Sequence, residues 1–213
     1  MNKINRFAIR EQIHEWILEA ITNGAFPAGR KLMDTELANE YGVSRTPVRE
    51  ALIRLEKEGF VTNHLNRGFE VTRIKKDTIL EIYDLIAELE AYALGQVPAL
   101  AVNTAKALTQ INKEFEKPGV NSFALIQLDA RWHGLLVEQC RNFTLIQIVQ
   151  SLKSKTLWYE INYMKEMESI AVSGGDHRKI LQLIEKKKMA AAASLLKRNC
   201  LRTRVLIENQ KDQ

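Results

Sequence analysis

The stretch from Val43 to Val61, VSRTPVREALIRLEKEGFV, constrains the fold of this chain more than any other. Thr46 followed by Pro47 predicts a helix start, because a hydroxyl can cap and proline has no N–H to leave unpaired at the first helical position. Val48, Ala51, Leu52 and Leu55 then recur at helical spacing and form an inward stripe. Arg45 and Arg49 are four residues apart and leave the first turn together, away from that stripe. A helix buried along one side, with guanidinium groups at its start, suits the major groove of a duplex.

Composition sets limits around this motif. The chain has 213 residues, 46% of them hydrophobic and 27% charged, an ordinary balance for a protein that buries a full core. No apolar run approaches the roughly 20 residues needed to span a bilayer, and Met1 to Arg6 lacks the apolar core of a signal peptide. Cys140 and Cys200 are far apart and belong to no motif, so they read as free thiols in a reducing cytoplasm. The expected location is therefore cytoplasmic, with no membrane partner. The net charge of +5 permits nucleic-acid binding, and its distribution says more. Residues 44–76 hold eight Lys and Arg against four Glu, and this excess lies on the motif itself.

The order of elements follows from periodicity and turn residues. A first helix is expected over 7–22, ended by Gly24, and a short one over 36–41, capped by Asp34 or Thr35 and closed by Gly42. The third helix stops at Gly59. Two short alternating runs, 60–62 and 69–72, flank an Asn/Gly-containing turn and predict a β-hairpin. From Asp77 onward only helices are expected: 77–96, 99–116, 122–140, 143–167, 173–187 and 189–209. The breaks fall at Gly95/Pro98, Pro118-Gly119, Arg141-Asn142 and Ser173-Gly174-Gly175. The expected fold is mainly α: a winged helix-turn-helix of three helices plus a hairpin over 1–75, then an all-α bundle over 76–213.

Residues at fixed spacing make the first 75 positions resemble the GntR family of bacterial transcription regulators. They are Gly24-x-Phe26-x-x-Gly29-x-x-Leu32, Glu36-Leu37-Ala38, Val43 to Leu52, Leu55-Glu56-x-Glu58-Gly59-Phe60-Val61 and Arg67-Gly68-x-x-Val71. The helical remainder resembles the FCD ligand-binding domain of the FadR-type subfamily. It matches through Ile82-Tyr83-Asp84-Leu85-x-x-x-Leu89-Glu90, Asp129-x-x-x-His133, Asn142 and His177-x-x-Ile180-Leu181. The resemblance implies a homodimer on a pseudo-palindromic double-stranded operator. It also implies a small-molecule effector, a carboxylate, in the helical domain. Repression and activation both stay open. Carried over by position, Ser44, Arg45, Thr46 and Arg49 would meet DNA from the third helix, and Arg67 and Gly68 from the wing. His14, with no metal-type neighbour, is expected at a surface or domain interface.

Asp129 and His133 are four apart, a spacing that fits two ligands of one metal or an ordinary surface ion pair. The resemblance adds His177 and places Asn199 where metal-binding members carry a third histidine. An amide oxygen is a poorer ligand than imidazole for zinc-like ions. The set therefore admits one divalent ion of Zn, Ni or Mn type, or a metal-free polar pocket. Ile86 stands where relatives often place an arginine, which removes one anchor for an acidic effector. Arg131, Arg141, Lys155 and Tyr159 are the remaining candidates, while Trp132, Phe143, Trp158 and Tyr163 are expected to pack. Two rival readings are a constitutive DNA binder and a metal-dependent hydrolase. The hydrolase lacks support, since no His-Glu-x-x-His, nucleophile elbow or phosphate loop is present.

Overall fold

The computed structural model describes residues 6–65, 67–163 and 167–209, with the side chains of 6–8, 122, 157–158, 161–163 and 167–172 left aside. The chain forms two compact units, Met1–Ile74 and Lys75–Gln213. It is mainly α, with a winged helix-turn-helix followed by a helical bundle.

In the first unit, α1 (Arg6–Thr22) buries Ile13, Ile17 and Ile21 at i, i+4 and i+8. They pack toward Val48, Ala51, Leu52 and Leu55 of α3 (Arg45–Lys57), giving each helix one apolar stripe. His14 is not at a surface: it is buried and meets Glu58, just past the end of α3, at 2.6 Å. That contact spans α1 and α3, which a search for metal-type neighbours along the sequence does not reveal. Trp16 of the same helix is 45% exposed and leans on Tyr41.

The helix start also differs from expectation. Ser44, not Thr46, is the extended residue before α3, and Pro47 occupies the third helical position. The first four helical N–H groups have no intrahelical acceptor, so proline is tolerated there as well as at the first position. Before it, α2 (Asp34–Glu40) begins one residue after Met33. The expected hairpin is present as β2 (Val61–His64) and β3 (Gly68–Val71), paired antiparallel with His64 opposite Gly68. A further strand, β1 (Lys31–Leu32), pairs with Glu70 and Phe69 and gives the order β1-β3-β2. Two residues are too few to show alternation. At the wing, Gly68 has φ +81°, and a Cβ there would stand 2.7 Å from Met33 Sδ, so glycine answers two demands at once.

The second unit contains α4 (Lys76–Gly95), α5 (Val102–Phe115), α6 (Ser122–Val137), a 3-10 turn at Glu138–Cys140, α7 (Phe143–Tyr163), α8 (Met167–Glu185) and α9 (Met189–Asn209). Asn121 caps α6 by accepting from the Ala124 N–H at 2.8 Å, and Arg141 leaves the 3-10 turn in the left-handed region at φ 56°. Trp132, Leu136, Ile180, Leu181 and Leu196 form the core where α6, α8 and α9 meet. The expected break at Ser173-Gly174-Gly175 is absent, because α8 runs through it. Gly174 lies against α5, where an added Cβ would stand 3.4 Å from Phe115 Cβ, an ordinary contact. Glycine carries a cost in a helix, but the helix is continuous here. Phe143 does not pack: at the first position of α7 it is 80% exposed. The side chains of Trp158 and Tyr163 lie outside the described residues.

The Tyr83 hydroxyl donates to the Glu160 carboxyl and ties α4 to α7. Burial pushes that carboxyl from the usual 4.5 up to about 8, so it stays protonated in the folded chain at neutral pH. An acid whose folded pKa is raised contributes fully below its unfolded pKa, and the contribution is lost as pH rises toward the folded value. Glu160→Gln, which mimics the protonated form, should therefore gain thermal stability over the parent progressively between about pH 5 and pH 8. Thermal unfolding followed by circular dichroism across that range checks the sign.

Candidate nucleic-acid interface and buried polar cluster

In the first unit, the buried stripe of α3 turns its opposite side outward. Arg45 and Arg49 keep 63% and 59% of their side chains exposed. Both are held at one carboxylate: Arg45 Nη2 lies 3.2 Å from Asp34 Oδ1, and Arg49 Nη1 lies 3.3 Å from Asp34 Oδ2. Ser44 and Thr46 are exposed beside them. In the hairpin Arg67 is exposed, and its N–H donates to the His64 carbonyl at 2.8 Å. Exposed hydroxyls and helix N-terminal N–H groups suit phosphate oxygens, whereas guanidinium groups suit guanine edges.

In the second unit, α6, α8 and α9 bring Asp129, His133, His177 and Asn199 together. His133 and His177 face each other through their Nε2 atoms at 3.3 Å. Asp129 Oδ2 is 3.7 Å from His133 Nε2, and its Oδ1 is 3.5 Å from His177 Nε2. Asn199 Oδ1 stands 3.2 Å from His133 Nε2, with its amide nitrogen donating to Ser173 Oγ. His133, His177 and Asn199 are buried, whereas Asp129 keeps 23% of its side chain exposed.

Behind this cluster sits Glu90 of α4, wholly buried. Its Oε2 meets His133 Nδ1 at 2.5 Å and accepts from the Cys200 thiol at 3.2 Å, while Oε1 is 3.0 Å from Lys153 Nζ. Burial alone would raise the Glu90 carboxyl, but the charges of His133 and Lys153 outweigh it and hold the group far below its usual range. Burial would likewise lower Lys153, yet the charge of Glu90, with a smaller part from Asp129, pushes it up to about 12. The Cys200 thiol is raised by burial and by Glu90, so it remains a thiol and a poor metal ligand.

These contacts orient the ring. An ionised Glu90 accepts from the His133 Nδ1–H, and the other ring nitrogen, Nε2, is turned toward Asn199 Oδ1 and His177 Nε2. Burial lowers His177 to about 3, so it stays neutral. Asp129 Oδ1 is buried with no hydrogen-bond partner. Acceptors therefore converge with few donors between them, an arrangement that a cation or a shared proton relieves. Asp129, His133 and His177 can each offer one ligand atom, all within 4.8 Å of one another. The residues fit a divalent ion, with Asn199 as a fourth, neutral oxygen donor.

Residues 81–201 match the FCD domain, and residues 9–71 match "Bacterial regulatory proteins, gntR family". The chain belongs to the GntR regulators with an FCD domain. The HTH-type transcriptional regulator YdhC of Bacillus subtilis is 29% identical over 190 residues, covering 85% of this chain and 83% of that one. The Nta operon transcriptional regulator of Aminobacter aminovorans is 32% identical over 132 residues, which span 61% of this chain and 63% of that regulator. Among solved structures, E. coli McbR/YncC superposes with a TM-score of 0.73 at 19% identity, covering 96% of this chain and 99% of the other. At that identity the likeness concerns the fold alone. Membership of this family makes the chain a DNA-binding transcription regulator and not an enzyme. Among the described residues, no helix is long and apolar enough to cross a membrane.

The sequence-expected residues of this GntR regulator fall in different places. Asp129, His133, His177 and Asn199 converge as described. Of the four expected effector contacts, Tyr159 is buried, while Arg141 and Lys155 are exposed. Arg131 is exposed on a separate shallow depression beside Glu114 and Lys117. Lys153 reaches the cluster through Glu90, and with Glu90, Gln150 and Ser154 it lines a cavity of about 210 Å³ between α4, α6 and α7. Ile86 is wholly buried on the α4 stripe. Glu90 and Lys153 carried a readable signal: each is a charged residue on an apolar stripe, Ile79-Tyr83-Ile86-Glu90 in α4 and Leu145-Val149-Lys153 in α7.

Removing one member of a buried ion pair leaves the other charge uncompensated. Lys153→Met should cost toward the lower end of about 3–5 kcal/mol, because His133 still partners Glu90. Urea denaturation of the parent and the variant measures it.

Proposed function

We propose that this regulator reads a pseudo-palindromic duplex as a homodimer, with Arg45 and Arg49 contacting guanines in the major groove. In this reading Ser44 and Thr46 hold phosphates, and Arg67 and Gly68 carry the wing to the adjacent minor groove. A small carboxylate effector in the helical domain tunes operator affinity. The observation that carries the DNA half is the exposure of two arginines at the start of a helix whose other face is fully buried. In a dimer the two recognition helices would lie about one helical turn of DNA, roughly 34 Å, apart.

The effector half rests on the converging acceptors of Asp129, His133, His177 and Asn199. A divalent ion of Zn, Ni or Mn type held there would supply positive charge to attract a carboxylate. Glu90 fixes the His133 ring for that task, and Ser173 turns the Asn199 oxygen inward. An effector acts only through different affinities for the DNA-competent and DNA-incompetent states. A constitutive binder is the alternative, and operator affinity measured with and without small carboxylates separates the two.

Arg45→Ala should erase preference at one base pair per half-site, worth about 1–3 kcal/mol, with the other positions retained. Binding to duplexes selected from a random pool measures this, and uniform weakening across all sequences would instead mark a nonspecific binder. Elemental analysis of the purified protein should find a divalent metal that His177→Ala loses. Equal content in both proteins, or none in either, would leave a metal-free polar pocket.

A further inference from the structure

Asp34 was expected only as a helix cap, and the DNA reading above gives it no part. We propose that Asp34 is a specificity-determining residue of DNA recognition: it aligns Arg45 and Arg49 for bases and penalises binding to phosphates alone. This rests on the reading that those two arginines enter the duplex.

Three observations carry it. Asp34 opens α2, yet only 10% of its side chain is exposed, so its carboxylate is fixed against the protein. Both oxygens are engaged, with Arg45 Nη2 at 3.2 and 3.3 Å and Arg49 Nη1 at 3.3 Å. Each arginine nevertheless stays more than half exposed, so its remaining N–H groups are free to face outward. Two like charges one helical turn apart repel. A carboxylate shared between them cancels that repulsion and removes rotamer freedom before DNA arrives.

The same charge has a second effect. Phosphate contact is a point-charge attraction that tolerates many arginine geometries, whereas base readout needs a planar fork in one orientation. A fixed negative charge between the arginines opposes the first and orders the second. Asp34 thus lowers nonspecific affinity and raises discrimination, a pair of effects that a purely structural residue does not produce.

The test uses the full chain. A duplex selected by the parent protein from a random pool is compared with a shuffled duplex of the same length at one salt concentration. Asp34→Asn should narrow the ratio of the two affinities by about tenfold or more, with shuffled-duplex binding unchanged or stronger. Asp34→Glu, which keeps the carboxylate, should hold the ratio within a few-fold. Asp34→Ser supplies a second uncharged variant, and unfolding midpoints confirm that each protein compared is folded. An Asn or Ser variant with the parent's ratio would overturn the proposal, as would equal weakening on both duplexes. If the parent selects no sequence at all, the base-reading role of Arg45 and Arg49 falls, and this proposal with it.

Discussion

The helical domain depends on keeping one carboxylate ionised in its interior. Glu90 has no exposure, and moving such a charge out of water costs several kcal/mol unless partners compensate. Here His133, Lys153 and Cys200 approach it from three helices, so the charge can persist only if α6, α7 and α9 all pack against α4. The same contact orients the His133 ring so that its Nε2 faces Asn199 and His177. Fold and site are thus one electrostatic problem. Replacing the group with packed apolar side chains would often stabilise a core, but it would release the ring orientation on which the acceptor cluster depends.

The DNA-binding unit solves a simpler problem. Its three helices each bury one stripe, and burying that side of α3 dictates that the other side face solvent. No special chemistry is needed to expose Arg45 and Arg49; it follows from the helical period. Rigidity comes from below, through Ile13, Ile17 and Ile21 of α1 and the His14–Glu58 contact. Burial alone would raise Glu58, but His14 and Arg54 outweigh it and lower its carboxyl, so this link is charged at one end.

Legibility in the sequence followed the range of the interaction. Stripes such as Val48-Ala51-Leu52-Leu55 are local, and the helices and hairpin built on them appeared near their expected bounds. Last-helix limits of 189–209 matched α9. Features set by a distant partner were missed or misplaced. Among them is β1, which exists only against β3. The continuity of α8 through Gly174-Gly175 was missed as well. The site shows the same divide. Asp129, His133, His177 and Asn199 were found through family spacing, whereas choosing among basic residues of α7 required knowing the helix phase. Lys153 lies on the stripe of Leu145 and Val149, and Lys155, two residues on, points to solvent. The roles of Glu90 and Asp34 lay in pairings across 43 and 11 positions, which no local pattern encodes.

Both units share one device at different depths. In each, a fixed carboxylate from a neighbouring helix orders nitrogen-bearing side chains whose remaining atoms face the place where a ligand would bind. Asp34 does so near the surface with two guanidiniums, and Glu90 does so in the core with one imidazole. The difference in burial sets the chemistry. Solvent near Arg45 and Arg49 supports exchangeable contacts with a polyanion, screened by salt. The dry surroundings of His133 strengthen any charge placed among its acceptors. A carboxylate is the economical choice in both places because it accepts from two directions at once, and an amide in its place would lose the charge that makes either arrangement directional.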